Sequence, residues 1–403
     1  MSYSPWQANS GIAFEAKALP TRGVAAKQLQ GVPTMTAPIA KSEFLGLENF
    51  THLAAGGEAP ALLENLTAVN RFFLDKGIGM PGRDRMAATA SSAKVRLATL
   101  LGVSPGEIAL LWNATAGLYA IAAGMQCRSG DNIVAGASEF PSLLSIWHGS
   151  AAELRRVGAS SRVTLDEIAD AVDNHTRAIV ISHVSYLTGT RSDLAALREI
   201  ADRHGARLIV DASHSLGVVP VDGSVCDAIV GCCYKWLLGT HGVGVFFVNA
   251  KRWPEIEPTI VGWNSVLPEE EWRRRNTFEL KPGMEKFESG NLSYMSVYYL
   301  DAGLARLERA GIRAIERHVL DLGGELRSRL ARLNLDLLTP EESDHRAGNI
   351  CFATDRCTAI EAHLRANGIF TWGDDKRLRI SVHAYNDAAD VERVLDELGR
   401  VFA

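Results

Sequence analysis

Between residues 108 and 248, short apolar segments alternate with stretches of helical periodicity. Strands that read as continuous apolar runs, separated by helices, are typical of a mainly parallel sheet covered on both faces, so we predict an α/β fold. The predicted strands are Ile108–Trp112, Asn132–Ala135, Ala178–Ser182, Arg207–Asp211, Ala228–Cys232 and Gly244–Val248. The predicted helices between them are Ala116–Met125, Leu165–Asp173 and Leu194–His204.

A chain of 403 residues is too long for one ordinary hydrophobic core, so we expect one large and one smaller domain. The regular alternation ends near residue 292. We predict an N-terminal arm over 1–50, a large domain over 51–292 and a small α+β domain over 293–403. The outer parts have predicted helices at Ala61–Lys76, Arg85–Leu101, Ser296–Leu333 (with breaks at Gly311 and Gly323), Thr358–Ala366 and Ala388–Val401, and strands at Leu335–Leu338, Asn349–Phe352 and Arg377–Val382.

The composition excludes several kinds of partner. The net charge of −5 gives no reason to expect nucleic acid or an anionic membrane. No segment approaches the length of a membrane span, and the first residues do not resemble a signal peptide. The six cysteines are scattered, with no pair at zinc-ligand spacing. We therefore expect reduced core thiols, no metal site and a cytoplasmic location.

Two predicted strands lead into residues that can carry chemistry. Asp211 closes the apolar run 208–210, and Lys235 follows the run 228–232, just before a glycine-rich segment. Ligands of open parallel sheets bind beyond the carboxyl ends of the strands. There, a lysine amine can form a Schiff base with the aldehyde of pyridoxal phosphate, and a carboxylate can keep the pyridine nitrogen of this cofactor protonated. The alternatives are a lysine that reaches solvent from a strand end and an aspartate that caps the next helix.

The segment 113–117 lies between a predicted strand and a predicted helix. Its small residues leave backbone N–H groups free to hold a phosphate, and the Thr115 hydroxyl adds a donor. A plain helix cap at Asn113 or Thr115 explains the same residues.

Two ring-bearing residues lie close to these loops in the sequence. Phe140, which follows the strand at 132–135, can cover one face of a flat cofactor. Its spacing is equally consistent with an ordinary core position. His214, three residues after Asp211, is either a site residue or a buried, hydrogen-bonded histidine.

Together these segments make the chain similar to the class V aminotransferase superfamily of fold-type I pyridoxal phosphate enzymes. This superfamily includes cysteine desulfurases, selenocysteine lyases, kynureninases and isopenicillin N epimerase. The resemblance covers roughly residues 50–400. Its motifs are Ala114-Thr115-Ala116-Gly117, Ser182-His183-Val184-Ser185-Tyr186, Val210-Asp211-Ala212-Ser213-His214-Ser215-Leu216-Gly217, Tyr234-Lys235-Trp236, Phe287-Glu288-Ser289-Gly290-Asn291 and Leu378-Arg379-Ile380-Ser381-Val382-His383-Ala384-Tyr385-Asn386.

The resemblance implies a role for each matched residue. Lys235 would hold the cofactor and move the proton at the substrate α-carbon, and Asp211 would pair with the pyridine nitrogen. Arg379 would bind the substrate α-carboxylate, for which the parallel donors of a guanidinium are suited. The other implied cofactor contacts are His214 near the ring oxygen, Ala114, Thr115 and Tyr234 at the phosphate, and Phe140 against the ring.

Members of the superfamily are homodimers whose active sites borrow a loop from the partner subunit. In this chain, that loop would contain Gly290 and Asn291. The resemblance therefore implies a homodimer with shared active sites.

Two departures from the cysteine desulfurases are visible. Their persulfide-forming cysteine lies in a mobile loop before the arginine motif, whereas 368–377 contains no cysteine here. The usual covalent sulfur transfer needs a thiolate nucleophile, so we do not expect it. Phe140 replaces the histidine that desulfurases stack on the cofactor. This aromatic residue, and Tyr234 before Lys235, favour the kynureninase and epimerase branch.

Three hypotheses for function remain. The first is a lyase or epimerase that binds an α-amino acid as an external aldimine and removes its α-proton through Lys235. The second is an aminotransferase that uses the same residues. The third is a non-catalytic regulatory protein on the same scaffold; retention of Asp211, Lys235 and Arg379 together argues against it.

Overall fold

The alternation predicted from the sequence forms one seven-stranded sheet in the computed structural model, which describes residues 36–158, 163–268, 270, 273–274 and 276–402. A short strand, β1 (Thr51–His52), precedes this sheet in the chain. The strands of the sheet are β2 (Ile108–Leu111), β3 (Asn132–Gly136), β4 (Glu153–Val157), β5 (Thr176–Ser182), β6 (Arg207–Asp211), β7 (Ala228–Cys232) and β8 (Gly244–Val248). The six strands predicted for this region are all present, with small shifts at some ends.

The strands lie in the order β2-β8-β7-β6-β5-β3-β4, and within this sheet β8 alone runs antiparallel to its neighbours. The prediction of a mainly parallel sheet is confirmed. The strand β4 is not among the predicted strands, because its residues, Glu-Leu-Arg-Arg-Val, are largely polar. Such a strand is stable at the edge of the sheet, where it pairs only with β3.

The helices of the N-terminal two thirds pack against this sheet and against one another, and their capping residues explain several boundaries. In order they are α1 (Leu63–Gly77), α2 (Met80–Leu101), α3 (Ala114–Gly124), α4 (Pro141–Ser145), α5 (Leu165–Ala171) and α6 (Leu194–His204). The prediction for α6 is confirmed at both ends, where Asp193 caps the first turn and Gly205, at φ 67°, ends the helix. The start of α2 was predicted five residues late because a proline and a glycine in its first turn obscure the helical pattern.

Two long helices follow the large sheet, α7 (Tyr294–Ala310) and α8 (Ile312–Ala331). The predicted break at Gly311 is confirmed, since this residue has φ 81° and separates the helices. The predicted break at Gly323 is wrong, because α8 continues through it. A glycine weakens a helix by about 1 kcal/mol, and the buried leucines of α8, among them Leu322 and Leu326, stabilise it through packing.

The remaining elements form a smaller α+β layer. They are β9 (Asp336–Leu337), β10 (Asn349–Ala353), α9 (Cys357–Ala366), β11 (Ile369–Phe370), β12 (Trp372–Asp374), β13 (Arg377–Ser381) and α10 (Ala388–Phe402). Four of these strands form an antiparallel sheet in the order β12-β13-β10-β9, while β11 pairs in parallel with β1. Apolar residues of α8, β10, β13 and α10 share one core.

The described residues form one compact unit, so the domain boundary near residue 292 stays a prediction. Residues 1–35 of the predicted arm lie outside the described residues. The rest of that segment contributes Ile39, Phe44 and Leu47 to the core beside the large sheet. In the described part of the chain, no helix is both long and apolar enough to cross a membrane.

Candidate active site

The carboxyl ends of β5, β6 and β7 meet at a small cavity that is partly open to solvent. This is the edge at which parallel sheets bind ligands. Among the described residues, no group of three or more His, Cys, Asp and Glu side chains could hold a metal ion. The predicted site residues that line the cavity are Ala114, Thr115, Phe140, Asp211, His214, Tyr234 and Lys235.

Lys235 lies just after β7 and is the start of a buried hydrogen-bond chain. Its Nζ is 3.1 Å from His214 Nε2, and His214 Nδ1 is 2.9 Å from Asn349 Nδ2. Asn349 Oδ1 accepts a hydrogen bond from Ser381 Oγ at 2.9 Å, so the amide nitrogen donates to Nδ1. Burial, together with the charge of Lys235, holds the pKa of His214 well below its usual value. The neutral ring therefore contacts the lysine nitrogen through Nε2 and the amide of Asn349 through Nδ1.

Asp211 ends β6 and is buried at the base of the cavity. Its Oδ1 accepts a hydrogen bond from the Ser213 N–H at 2.8 Å. Burial raises its pKa, although Ser213 and the charge of Lys235 act in the opposite direction. A carboxylate out of water is stabilised when a cation pairs with it. The structure therefore presents a buried carboxyl group whose ionised form would be stabilised by a positively charged group of a bound molecule.

The N-terminus of α3 forms another wall of the cavity. Asn113 caps this helix, because its Oδ1 accepts a hydrogen bond from the Ala116 N–H at 2.9 Å. The N–H groups of Ala114 and Thr115 have no acceptor within the helix. Thr115 Oγ1 donates to Ser142 Oγ at 3.0 Å. These donors and the positive end of the helix dipole make an anion site, so the cap and the phosphate interpretations are compatible.

Aromatic side chains enclose Lys235. Its Nζ lies 5.7 Å from the ring centroid of Phe140 and 5.6 Å from that of Tyr234. Phe140 is 40% exposed and meets Tyr186 edge to face at 5.3 Å, so it is not an ordinary core residue. The ring of Tyr234 stacks on that of His241, with 4.2 Å between the ring centroids. Burial raises the pKa of the Tyr234 hydroxyl to about 12. Tyr234 therefore keeps its proton at neutral pH and can donate it in a hydrogen bond.

Arg379 lies on β13, behind the cavity wall. It is 3% exposed, and its Nη1 donates to the carbonyl oxygen of Tyr186 at 3.1 Å. Its guanidinium carbon is 4.6 Å from the ring centroid of Trp372. Burial lowers the pKa of Arg379 to about 10, which still leaves it protonated at neutral pH. The structure thus places this cation next to the cavity through Tyr186, which lines it.

Asn291 lies outside the cavity, in a neighbouring surface depression, and accepts a hydrogen bond from Arg83. Asn113 and Thr115 line both the depression and the cavity. Asn291 therefore does not reach the site of its own chain. Its predicted role in a partner's site stays a prediction.

The structure adds polar residues that sequence reasoning did not assign. Asn349 and Ser381 orient His214, but they come from strands far away in sequence and carry no local signal of this contact. Glu139, beside Phe140, accepts hydrogen bonds from the backbone and the hydroxyl of Ser182. Burial raises the pKa of Glu139 to about 7. Its position in the loop after β3, at the same edge as Asp211, was the available signal.

A parallel sheet whose carboxyl edge holds a buried lysine, a buried carboxylate and a helix N-terminus defines a class of cofactor-dependent enzyme. The model of the aminotransferase class-V family matches residues 82–394, and the chain belongs to this family. Membership confirms the predicted superfamily, the fold class and pyridoxal phosphate as the cofactor.

Named relatives and solved structures agree with this assignment. A kynureninase from Burkholderia pseudomallei is 31% identical over 301 residues, which cover 71% of each chain. A probable cysteine desulfurase from Methanothermobacter thermautotrophicus is 27% identical over 398 residues, covering 88% of this chain and 95% of that protein. An apo cysteine desulfurase from Thermococcus onnurineus has a TM-score of 0.81 at 20% identity, with coverage of 90% and 97%. The cystine C–S lyase C-DES has a TM-score of 0.80 at 24% identity, with coverage of 88% and 98%.

Proposed function

We propose that this protein is a pyridoxal phosphate-dependent lyase or epimerase that acts on an α-amino acid. The observation that carries the proposal is the grouping of Lys235, Asp211 and the N-terminus of α3 around one cavity. Each fits one part of the cofactor: the amine fits the aldehyde, the carboxylate fits the ring nitrogen, and the helix N-terminus fits the phosphate. Phe140 is the aromatic residue available to cover the ring.

The bound cofactor supplies an electron sink that weakens bonds at the α-carbon of an amino acid. The residues of this chain position the reactants and move protons. Lys235 takes up and returns the α-proton, and the 3.1 Å contact with His214 Nε2 holds the lysine nitrogen in place. Arg379 binds the substrate α-carboxylate.

A lyase is favoured over an aminotransferase by the 31% identity to a kynureninase. Phe140, at the position where desulfurases stack a histidine, supports the same branch of the superfamily. Asp211 and Lys235 serve either outcome, so they do not separate the two reactions.

The test is a panel of amino acids incubated with the cofactor-loaded protein, with pyruvate, ammonia, alanine and keto acids measured as products. We expect products of elimination or side-chain cleavage, or racemisation of the substrate, without any requirement for an added keto acid. A reaction that proceeds only when a keto acid accepts the amino group would contradict the lyase proposal and establish an aminotransferase.

The cysteine arm of this panel tests for covalent sulfur transfer, which we expect to be absent. Residues 369–381 form β11, β12 and β13, and two residues, Asp375 and Lys376, connect the last two strands. The segment that is a cysteine-bearing loop in the desulfurases is here a short strand paired with β1, followed by the tight β12–β13 hairpin. Cys232 lines the cavity, but burial raises the pKa of its thiol and disfavours the nucleophilic thiolate.

For this arm, the protein is incubated with cysteine, alkylated and mapped by peptide mass. A persulfide on any of the six cysteines, formed as fast as alanine is released, would restore the desulfurase hypothesis.

A homodimer with shared sites is the second part of the proposal. The depression that contains Asn291 and Thr115 is flanked by exposed apolar side chains, including Trp112 and Ile260, which are 64% and 54% exposed. A two-fold interface over this surface would bring each Asn291 to the phosphate end of the partner's cavity. Sedimentation equilibrium is expected to give twice the chain mass; a fully active monomer would exclude shared sites.

We also propose a cytoplasmic location. All six cysteines are free, and five of them are buried, which fits a reducing compartment. Fractionation of source cells tests this, and recovery outside the cytoplasm would contradict it.

A further inference from the structure

A second arginine, Arg377, lies two residues before Arg379 on β13, so both side chains project from the same face of the strand. Arg377 is 2% exposed, and its guanidinium carbon lies 4.8 Å from the ring centroid of Trp372, the ring that Arg379 also contacts. It lies 5.2 Å from the ring of Tyr186, which lines the cavity. The arginines thus form one cationic pair beside the site, of which the α-carboxylate occupies only one member.

The protein balances this charge only in part. Arg377 Nη1 donates to Asp375 Oδ2 at 3.3 Å, but the Asp375 side chain is 58% exposed. Nε and Nη2 of Arg377 and Nε of Arg379 are buried and have no hydrogen-bond acceptor among the described residues. Buried guanidinium groups are normally paired, because a charge removed from water without a partner is unfavourable. Donors on both cations therefore remain for a ligand.

We propose that Arg377 binds a second acidic group of the substrate, which makes the substrate a dicarboxylic α-amino acid. The inference rests on the proposed function, in which Arg379 holds the α-carboxylate. One carboxylate on each arginine would neutralise both cations and supply acceptors for the open donors.

The geometry also limits the length of the substrate. Residues two apart on a strand have Cα atoms about 6.5 Å apart, and both guanidiniums contact the same indole ring. The two acidic groups must therefore be close together, as in a short dicarboxylate.

The ion pair with Asp375 does not prevent Arg377 from binding a substrate carboxylate. Asp375 lies with Lys376 in the two-residue turn between β12 and β13, and both have positive φ, 49° and 56°. Its exposed carboxylate can rotate into solvent when a substrate carboxylate replaces it on Arg377.

The experiment compares each acid with its isosteric amide: L-aspartate with L-asparagine and L-glutamate with L-glutamine. The measured quantity is the ratio of kcat/KM for the acid to kcat/KM for the amide. We expect the parent to prefer the acid, and Arg377→Gln to reduce the ratio by about 10- to 100-fold, the usual effect of a lost charge-assisted hydrogen bond. Arg377→Lys should restore part of the preference, since it keeps the charge without the fork.

Lys376→Gln is the matched control. It also removes one positive charge, but from an exposed side chain that is next to Arg377 in the sequence. We expect its ratio to stay within about threefold of the parent. Two results would overturn the proposal: an equal loss of kcat/KM for acid and amide in Arg377→Gln, or an equal fall of the acid-to-amide ratio in Lys376→Gln. Arg377 would then be a residue that packs against Trp372.

Inhibition of the parent enzyme provides a measurement that does not depend on the folding of a variant. Succinate is expected to compete at least about tenfold more strongly than its monoamide, and equal inhibition would overturn the inference. A parent that converts neutral amino acids but rejects acids refutes only this inference. A protein that holds the cofactor and converts no amino acid refutes the proposed function as well.

Discussion

Replacement of Lys235 by alanine is expected to lower turnover by about 10³-fold or more and to abolish the covalent link to the cofactor. The Lys235 amine is the one that lines the cavity, and it lies 3.1 Å from His214 Nε2. No other lysine lines this cavity among the described residues, so none is placed to replace it. The variant should still fold, because the truncated atoms border a cavity rather than a packed core.

The measurement is treatment of the cofactor-loaded protein with borohydride, followed by peptide mass mapping. The parent should be yellow, bleach on reduction and carry the cofactor on the peptide that contains Lys235. Lys235→Ala should lose this label, while Lys251→Ala, at an exposed lysine, should keep both label and activity. Label on another lysine of the parent, or a colourless parent that cannot be reconstituted, would refute the site.

The large sheet was predictable because its signal is local. Strands such as β6 and β7 are continuous apolar runs, and the caps of α6 are visible in sequence. The parts that were missed depend on tertiary context. The polar strand β4 is stable only because it pairs with β3 at an edge, and Gly323 stays helical because α8 packs on the core.

The residues of the site also fall into those that the sequence predicts and those that depend on tertiary contacts. Asp211 and Lys235 follow predicted strands, so the parallel sheet alone brings them to one edge. The contact between His214 and Asn349 joins residues 135 positions apart and could not be read from either segment. Arg377 did carry a signal, since it alternates with Arg379 on a predicted strand, and a period of two puts both on one face. The sequence could not show that Nε and Nη2 of Arg377 are buried without a hydrogen-bond acceptor among the described residues.

Asp211→Asn is expected to reduce turnover by about 100-fold or more with a much smaller effect on cofactor affinity. The charge of the carboxylate favours a protonated ring nitrogen, and a neutral amide of the same shape does not. The amide oxygen can still accept the Ser213 N–H, so the local turn should survive. Pre-steady-state rates of α-proton loss and titration of the cofactor-free protein measure the two effects separately. Turnover within about threefold of the parent, under ~1 kcal/mol of barrier, would make Asp211 a structural cap.

Stability provides an independent check on the same substitution. Burial holds the pKa of Asp211 above its value in the unfolded chain, so ionised Asp211 lowers stability at pH values above that raised pKa. Without cofactor, Asp211→Asn should therefore be at least as stable as the parent at neutral pH. Asp227 is the matched control, since it is as deeply buried but paired with Arg198 and Arg207. Asp227→Asn should lose about 3–5 kcal/mol of unfolding free energy. An equal loss of unfolding free energy in both variants, measured by thermal unfolding, would show that Asp211 stabilises the fold itself. It would contradict a role in pairing with the cation of a bound cofactor.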